Sequence, residues 1–298
     1  MPLTFEPIRL GRQDAYLKYL DVCPQKASDY SFVNLWSWRE AYGLEWAWSA
    51  ELVYIRQTYP HEVFWAPVGA WDRIDWRSEA NGMLRTGVSY TRVPEMLARL
   101  WREAFQATIS TEESRDHWDY LYSRSELQNL PGNRFHKKKN LVNQFQKKYA
   151  FEYMPLAGPV IDLASGMQDR WCTWRDCETH EALDAENKAI ATVLENWHEL
   201  KRLTGGALMV EENIVAYTVA EYLTEHTVLI HFEKGDPAYK GVYQAINRMF
   251  LEQAADSFQF VNREQDLGDA GLRKAKLSYH PVDFVKKYSV TFLNSLGD

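Results

Sequence analysis

Residues 227–261, TVLIHFEKGDPAYKGVYQAINRMFLEQAADSFQFV, hold the pattern on which the fold turns. Thr227–Glu233 is rich in β-branched and aromatic residues and reads as a strand. Lys234-Gly235-Asp236-Pro237 breaks it, since glycine and proline interrupt regular structure. Tyr239–Ala255 then carries Val242, Tyr243, Ile246, Met249, Phe250 and Ala254 at helical spacing. Phe258–Val261 is the next apolar strand.

Upstream, Ala207–Val210 and Val215–Leu223 read as a hairpin joined through Glu211-Glu212-Asn213, preceded by helices over Asp169–Cys177 and Glu181–Leu203. Downstream, Ala270–Leu277 reads as a helix and Phe284–Phe292 as a closing strand. The order of this half is helix, helix, strand, strand, strand, helix, strand, helix, strand. It fits a mixed α/β sheet of the N-acetyltransferase type better than a doubly wound parallel one. In the first half, Asp14–Leu20 and Ser31–Tyr42 read as helices, and Leu44–Pro67 as two or three strands. Pro94–Ala107 is a helix with Met96, Leu97, Leu100, Trp101 and Ala104 on one stripe. Trp118–Tyr122 reads as a short strand, and a helix follows from about Phe135 to Tyr149. A chain of 298 residues favours two domains, and no Pro/Gly/Ser-rich linker separates them. The expected division is 1–155 and 156–298.

Composition narrows the class. Nine of the twelve tryptophans, Trp36 to Trp118, lie in the first 120 residues, which points to a large aromatic core, with aromatic groove walls as the alternative. No apolar run reaches membrane-spanning length, and the start MPLTFEPIRLGRQD lacks an apolar signal core, so a cytoplasmic location is expected. Cys23, Cys172 and Cys177 form a sparse, odd set, as expected where thiols stay reduced. The net charge of −7 argues against a general nucleic-acid coat. Residues 132–149, GNRFHKKKNLVNQFQKKY, nevertheless hold six Lys/Arg and no acid, leaving −13 on the remainder. A positive island on an acidic body suggests an anionic ligand at one place.

Three polar groups can carry chemistry. On a helix, Leu141, Val142, Phe145 and Tyr149 share one face; Lys139 and Lys147 point away, and Lys138 falls in the middle of the apolar face. A lysine there is costly unless it reaches out to water or meets an anion. Lys139 and Lys147 read as solvated surface, and Arg134 and His136 precede a helix start whose free amides suit phosphate. In the strand-break-helix unit, His231 and Glu233 share a strand face, with Lys234 at the strand's end. Gly235 and Gly241 flank a turn that either cradles phosphate or simply turns. Finally, NREQDLGDAGLRKAKLSYHP places Asn262, Arg263, Glu264, Gln265 and Asp266 directly after a strand, with Arg273, Lys274, Lys276, Tyr279 and His280 beyond. Such a cluster either lines a crevice or forms a solvated loop. Neither a GxSxG elbow, a Walker loop nor a GxGxxG fingerprint occurs, and Cys172, Cys177 and His180 make too few ligands for a metal site.

The blocks DYLYSRSELQNLPGNRFHKKKNLVNQF (119–145), VAYTVAEYL (215–223), HFEKGDPAYKGVYQAIN (231–247) and NREQDLGDAGLRKAKLSYHP (262–281) resemble a bacterial family grouped with the C-terminal domain of phosphatidylglycerol lysyltransferases. The resemblance spans about 119–290. It implies two tandem N-acetyltransferase-like folds, similar also to Fem-type peptidyltransferases that use aminoacyl-tRNA. The implied substrate-binding residues are Arg134, His136, Lys138, Asn140, Glu221, Lys234, Tyr243, Asn262, Glu264 and Arg273, and the implied catalytic ones Glu233, Asp266, Lys274 and Lys276. No tightly bound cofactor and no metal is implied. The coenzyme A signature Arg/Gln-x-x-Gly-x-Gly/Ala is absent, with Lys240-Gly241 a partial substitute.

The expected activity is transfer of an aminoacyl group from aminoacyl-tRNA to an amine or hydroxyl. Its rivals are an acyl-CoA-dependent N-acyltransferase and a non-catalytic module that binds a phosphorylated ligand. Glu221, Glu233, Glu264 or Asp266 would hold the aminoacyl ammonium or act as base, and Lys274 and Lys276 would stabilise an oxyanion or contact phosphate. Lys138 and its neighbours would meet the tRNA acceptor end; the acceptor would be a small molecule or a lipid headgroup.

Overall fold

A computed structural model describes residues 3–78 and 83–293. Met1 and Pro2, at the start of the stretch read for a leader, and the expected domain ends at 1 and 298 lie outside the described residues. The chain forms two units: residues 1–119, 265–270 and 284–298 make the first, and 120–264 with 271–283 the second. The single division expected at 155/156 is therefore replaced by one at Asp119/Tyr120 with two later returns of the chain. Those returns rest on pairing between residues far apart in sequence, which local periodicity does not encode.

The first unit contains β1 (Glu6–Pro7), α1 (Gln13–Val22), α2 (Phe32–Tyr42), β2 (Leu44–Trp48), β3 (Leu52–Gln57), β4 (Val63–Gly69), β5 (Ser89–Pro94), α3 (Glu95–Phe105) and β6 (Ile109–Glu113). Helix α2 starts where Ser31 accepts a hydrogen bond from the Asn34 amide and stops at left-handed Gly43, φ +56°. The last strand of the chain, β14 (Lys287–Phe292), enters the same sheet, in the order β1-β2-β3-β4-β5-β14-β6. Among the described residues only β4 and β5 run parallel in it. Trp46, Trp71 and Trp101 are fully buried; Trp101 meets Tyr90 edge-on at 5.0 Å and Tyr16 stacks on Trp46 at 5.8 Å. For these three tryptophans the core reading holds.

A buried charge network ties the three segments of this unit together. The Lys287 ammonium donates to Asp29 and, at 2.6 Å, to Asp119. Arg92 donates to Asp29, Ser28 donates to Asp119 through both its amide and its hydroxyl, and Gln265 donates to Ser28 and Asp29. Burial alone would raise the Asp29 pKa; Lys287 and Arg92 outweigh it and hold the carboxyl well below the usual range.

The second unit contains β7 (Asp119–Ser123), α4 (Arg124–Asn129), α5 (His136–Lys148), β8 (Phe151–Pro155), α6 (Pro159–Arg175), α7 (Glu181–Glu195), β9 (Leu203–Val210), β10 (Asn213–Tyr222), β11 (Thr227–Gly235), α8 (Val242–Gln253), β12 (Phe260–Asn262) and α9 (Ala270–Leu277). The chain leaves it through β13 (Asp283–Val285). Its strands lie in the order β7-β12-β11-β10-β9-β8, antiparallel except for β11 against β12. Both sheets are mixed, as expected of the α/β class. Strands β10 and β11 are buried along nearly their whole length, because α6 packs on one side and α8 on the other. Phe145, Leu208, Val215, Val242, Ile246 and Met249 form one core cluster beneath α5 and α8.

Several local expectations change: α7 ends at Glu195 rather than Leu203, which instead opens β9. Helix α6 begins at Pro159 rather than Asp169, since proline is favoured in a first helical turn and Val160, Ile161, Ala164, Met167 and Trp171 supply a buried stripe. Strand β11 runs through Lys234 to Gly235, so the break starts at Asp236. Cys172 and Cys177, expected as reduced thiols, form a disulfide, brought together where α6 ends at left-handed Asp176. Cys23 is a buried free thiol whose pKa burial raises to about 11. Among the described residues no helix is long and apolar enough to cross a membrane.

Candidate active site

Strands β11 and β12 pair only through Thr227–Leu229 and Phe260–Asn262. Beyond Leu229 the pairing opens into a wedge, β11 continuing to Gly235 with no further β12 residue paired to it. A crevice at the C-terminal ends of parallel strands is where α/β sheets commonly bind ligands.

His231 stands at the register shift of β11 against β10: Val219 pairs with Phe232 and Ala220 with Ile230, so His231 is the extra residue. Its Nδ1 lies 3.0 Å from Glu264 Oε1 and its Nε2 3.8 Å from Glu221 Oε2, with the ring fully enclosed. Burial works against a charged imidazole here. The facing carboxylates of Glu221 and Glu264 outweigh it and push the pKa up to about 9. The Glu264 backbone is left-handed, φ +55°, and its amide donates to Asn262 Oδ1 at 2.8 Å. A glutamate in that conformation is strained unless its surroundings hold it, and such strain clusters at functional sites.

Glu233 makes a second group. Arg263 Nη2 donates to its Oε1 at 3.0 Å and Asn247 Nδ2 to its Oε2 at 3.0 Å. Lys276 donates to the Arg263 carbonyl, while the Tyr122 hydroxyl donates to the Lys276 carbonyl at 2.9 Å. Tyr279 is buried, with the Arg263 guanidinium 5.0 Å and the Lys138 ammonium 4.0 Å from its ring centroid. So Glu221, Glu233, Glu264, Asn262, Lys138 and Lys276, taken from the four blocks of sequence, come together in the second unit. The residues the sequence analysis gave no role are His231, Arg263 and Asn247. His231 alternates with Glu233, Arg263 adjoins Glu264, and Asn247 sits on the buried stripe of α8, but none of these signals ranks above ordinary packing.

Other candidates lie apart from this group. Lys234, buried, contacts Glu186 Oε2 at 2.7 Å and sits 4.0 Å from the Trp171 ring centroid; Trp171 Nε1 donates to the Tyr243 hydroxyl at 3.3 Å. Arg134 pairs with Glu126 on the surface, and His136 bonds Asn140 one helical turn on, at 2.9 Å. Lys274 is exposed, and Arg273 is half-buried on α9. Asp266 belongs to the first unit, fully buried, with Arg115 Nη1 at 3.1 Å and the Gly268 amide at 3.0 Å. Its two near neighbours in sequence, Arg263 and Glu264, stay in the second unit because the chain crosses between units at Gln265. Gly241, φ +89°, has a plain packing reason: a Cβ there would lie 2.2 Å from the Leu141 carbonyl of α5.

This arrangement belongs to a transferase family. Residues 21–291 match the model of the phosphatidylglycerol lysyltransferase C-terminal domain, and the chain is a member of that family. Among solved structures, a conserved protein of unknown function from Bacteroides thetaiotaomicron VPI-5482 is 29% identical, with a TM-score of 0.89, covering 97% of this chain and 99% of that one. The C-terminal domain of a putative lysylphosphatidylglycerol synthetase from Agrobacterium fabrum (TM-score 0.65, 11% identity, 96% and 91% covered) and FemX (0.63, 7%, 98% and 98%) share the fold. An uncharacterised Mycoplasmoides gallisepticum protein is 28% identical over 178 residues, which are 58% of this chain and 55% of that protein. The chain thus spans about half the length of the curated relative it matches. The fold is N-acetyltransferase-like and of the Fem type, as the four sequence blocks imply.

Proposed function

We propose that this protein transfers an aminoacyl group from aminoacyl-tRNA to an amine or hydroxyl acceptor, in the cytoplasm, with each unit an N-acetyltransferase-like domain and the reaction in the second. The observation that carries the reading is the wedge between β11 and β12, where Glu264, strained and facing His231, stands near the Glu233–Arg263 pair. Family membership supports the reaction class.

In this reading the acceptor attacks the ester carbonyl, a tetrahedral oxyanion forms, and the ribose hydroxyl leaves with a proton. Glu264 takes the proton from the acceptor, and His231, 3.0 Å away, orients its carboxylate. Glu233 holds the ammonium of the aminoacyl group. Lys276 acts as a positioning residue, because its ammonium donates to the Arg263 carbonyl and so fixes the guanidinium beside Glu233. The exposed cations Arg134, Lys137, Lys139 and Lys147 border the approach of the tRNA end. An acyl-CoA donor is the weaker reading, since the packing demand at Gly241 accounts for the glycine that a phosphate loop would otherwise use.

The test is loss of labelled amino acid from a mixed aminoacyl-tRNA pool in the presence of candidate amine, nucleotide-sugar and lipid acceptors. Glu264→Gln should slow transfer on the order of 10²–10⁴-fold, the range of a lost general base. Lys276→Ala should abolish transfer with the fold intact. A wild-type chain that leaves every ester in place, or an undiminished Glu264→Gln, defeats the proposal.

A further inference from the structure

The Cys172–Cys177 disulfide sits at the corner between α6 and α7. As a staple it contributes little. It joins residues only five apart, and a short closed loop removes little freedom from the unfolded chain. The corner also turns on its own hydrogen bonds: the Asp176 amide donates to the Cys172 and Thr173 carbonyls, and the His180 amide to the Cys177 carbonyl at 3.0 Å. What the bond fixes is the seat of the helix that follows. Glu186 of α7 accepts from the buried Lys234 ammonium at 2.7 Å, and Asn187 accepts from Gln168 of α6 at 3.0 Å. Gln168 in turn accepts from the Tyr217 hydroxyl of β10 at 2.5 Å. Trp171, the neighbour of Cys172, has the Lys234 ammonium 4.0 Å from its ring centroid and donates to the Tyr243 hydroxyl of α8. A covalent tie and a polar clasp therefore hold the same two helices, and the clasp ends on β11 beside Glu233.

The bond is also within reach of a small reagent. Cys172 is half-buried and Cys177 buried, and both line a cavity of about 400 Å³ shared with Asp169, Asp184 and Asn187. We propose that Cys172 and Cys177 form a reversible thiol–disulfide switch, opened by small thiols and closed by small disulfides, and that closing it seats Glu186 of α7 on Lys234. In the cytoplasm, where the transfer reading places this chain, disulfides are characteristically transient and redox-sensing, which favours a switch over a permanent bond. Opening begins when the thiolate of a small thiol attacks the more accessible sulfur, that of Cys172. The protein S–S bond breaks, a mixed disulfide forms on Cys172, and the Cys177 thiolate leaves and takes a proton. A second small thiolate attacks the small-molecule sulfur of that mixed disulfide, releasing the free small disulfide and the Cys172 thiolate, which is protonated in turn. Two electrons pass from two small thiols to the protein, and oxidised glutathione reverses both steps. With the bond open, the start of α7 is held by the corner's hydrogen bonds and the clasp alone. Loss of Glu186 would leave Lys234 an unpaired buried cation, so the two contacts weaken together.

The experiment equilibrates the full, undenatured chain in reduced or oxidised glutathione. Maleimide labelling read by mass spectrometry counts thiols, and amide hydrogen exchange reads α7 against α5 as an internal reference. Reduced glutathione should add maleimide at Cys172 and Cys177, with buried Cys23 labelled only in denaturant. Opening the bond should speed α7 exchange by about tenfold or more, the scale of one lost charged contact, with α5 unchanged. A chain carrying Cys172→Ser and Cys177→Ser should exchange like reduced wild type in both buffers; if that pair fails to fold, the wild-type comparison decides alone. Glu186→Gln breaks the clasp with the bond intact, so it should speed α7 exchange in oxidised glutathione without adding a thiol. The switch is overturned if the native chain takes up no maleimide after reduced glutathione, or stays fully labelled in excess oxidised glutathione. Equal α7 exchange in the two buffers, or a Glu186→Gln chain that exchanges like oxidised wild type, overturns the coupling. No readout uses aminoacyl-tRNA, so failure here leaves the transfer reading to its own test.

Discussion

Lys287→Met isolates the buried network that joins the segments of the first unit. The ammonium it removes is fully enclosed and lies between Asp29 and Asp119. After the change Asp29 keeps Arg92, whereas Asp119 loses its ammonium and retains the two hydrogen bonds from Ser28 at 2.8 and 2.7 Å. Breaking a buried pair by removing one partner costs about 3–5 kcal/mol, mostly because a charge stays behind in a medium that cannot solvate it. With a urea slope of roughly 2 kcal/mol per molar, the unfolding midpoint should fall by about 1.5–2.5 M. Fluorescence of the buried Trp46, Trp71 and Trp101 reports on the same unit. Adding Asp119→Asn should restore part of the loss, since a neutral amide needs no cation. The acid limb should move as well. Asp29 has a depressed folded pKa, so its contribution is present above the ordinary carboxylate value and is lost only as pH falls through the lowered one. Without Lys287 that loss should begin at higher pH. A midpoint shift under about 0.5 M at unchanged slope would refute the idea that this network holds the segments together.

His231 gives a pH signature of the opposite sign. Its folded pKa, about 9, lies above the ordinary 6.5, so its stabilisation is complete below 6.5 and disappears as pH rises through 9. His231→Gln should flatten the stability profile between those values; identical slopes in the two proteins would contradict the Glu221–His231–Glu264 arrangement. His117 is pushed down to about 4, first by burial and then by Arg92, so stability should decline as pH falls from 6.5 towards 4, and His117→Gln should remove that slope. Gly241→Ala combines a positive φ with a clash against the Leu141 carbonyl and should destabilise by about 1–3 kcal/mol in urea. A neutral result there would reopen the glycine to a ligand-binding role.

Much of the second unit was legible before any coordinates. Helix α9 matches the expected Ala270–Leu277 at both ends, and α8 and β11 differ by a few residues, because hydrophobic periodicity is a local property that a short window records. The placement of Lys138 in the middle of an inward helix face could also be read from 3.6-residue geometry. The four family blocks were recognisable for a similar reason, since each is a contiguous run.

Other features needed the folded chain. Asp266 reads as part of the polar run after β12, yet it packs in the first unit against Arg115, 151 residues away. His231 reads as a strand residue beside Glu233, yet a register shift and Glu264, 33 residues on, decide its charge. Cys172 and Cys177 read as unpaired thiols until a left-handed turn at Asp176 brings them together. Sequence by itself determined the elements, their order and the family, because propensity and periodicity act over neighbouring residues. Tertiary structure alone decided which chain segment belongs to which unit and which charges meet, because strand register and burial are set by residues remote along the chain.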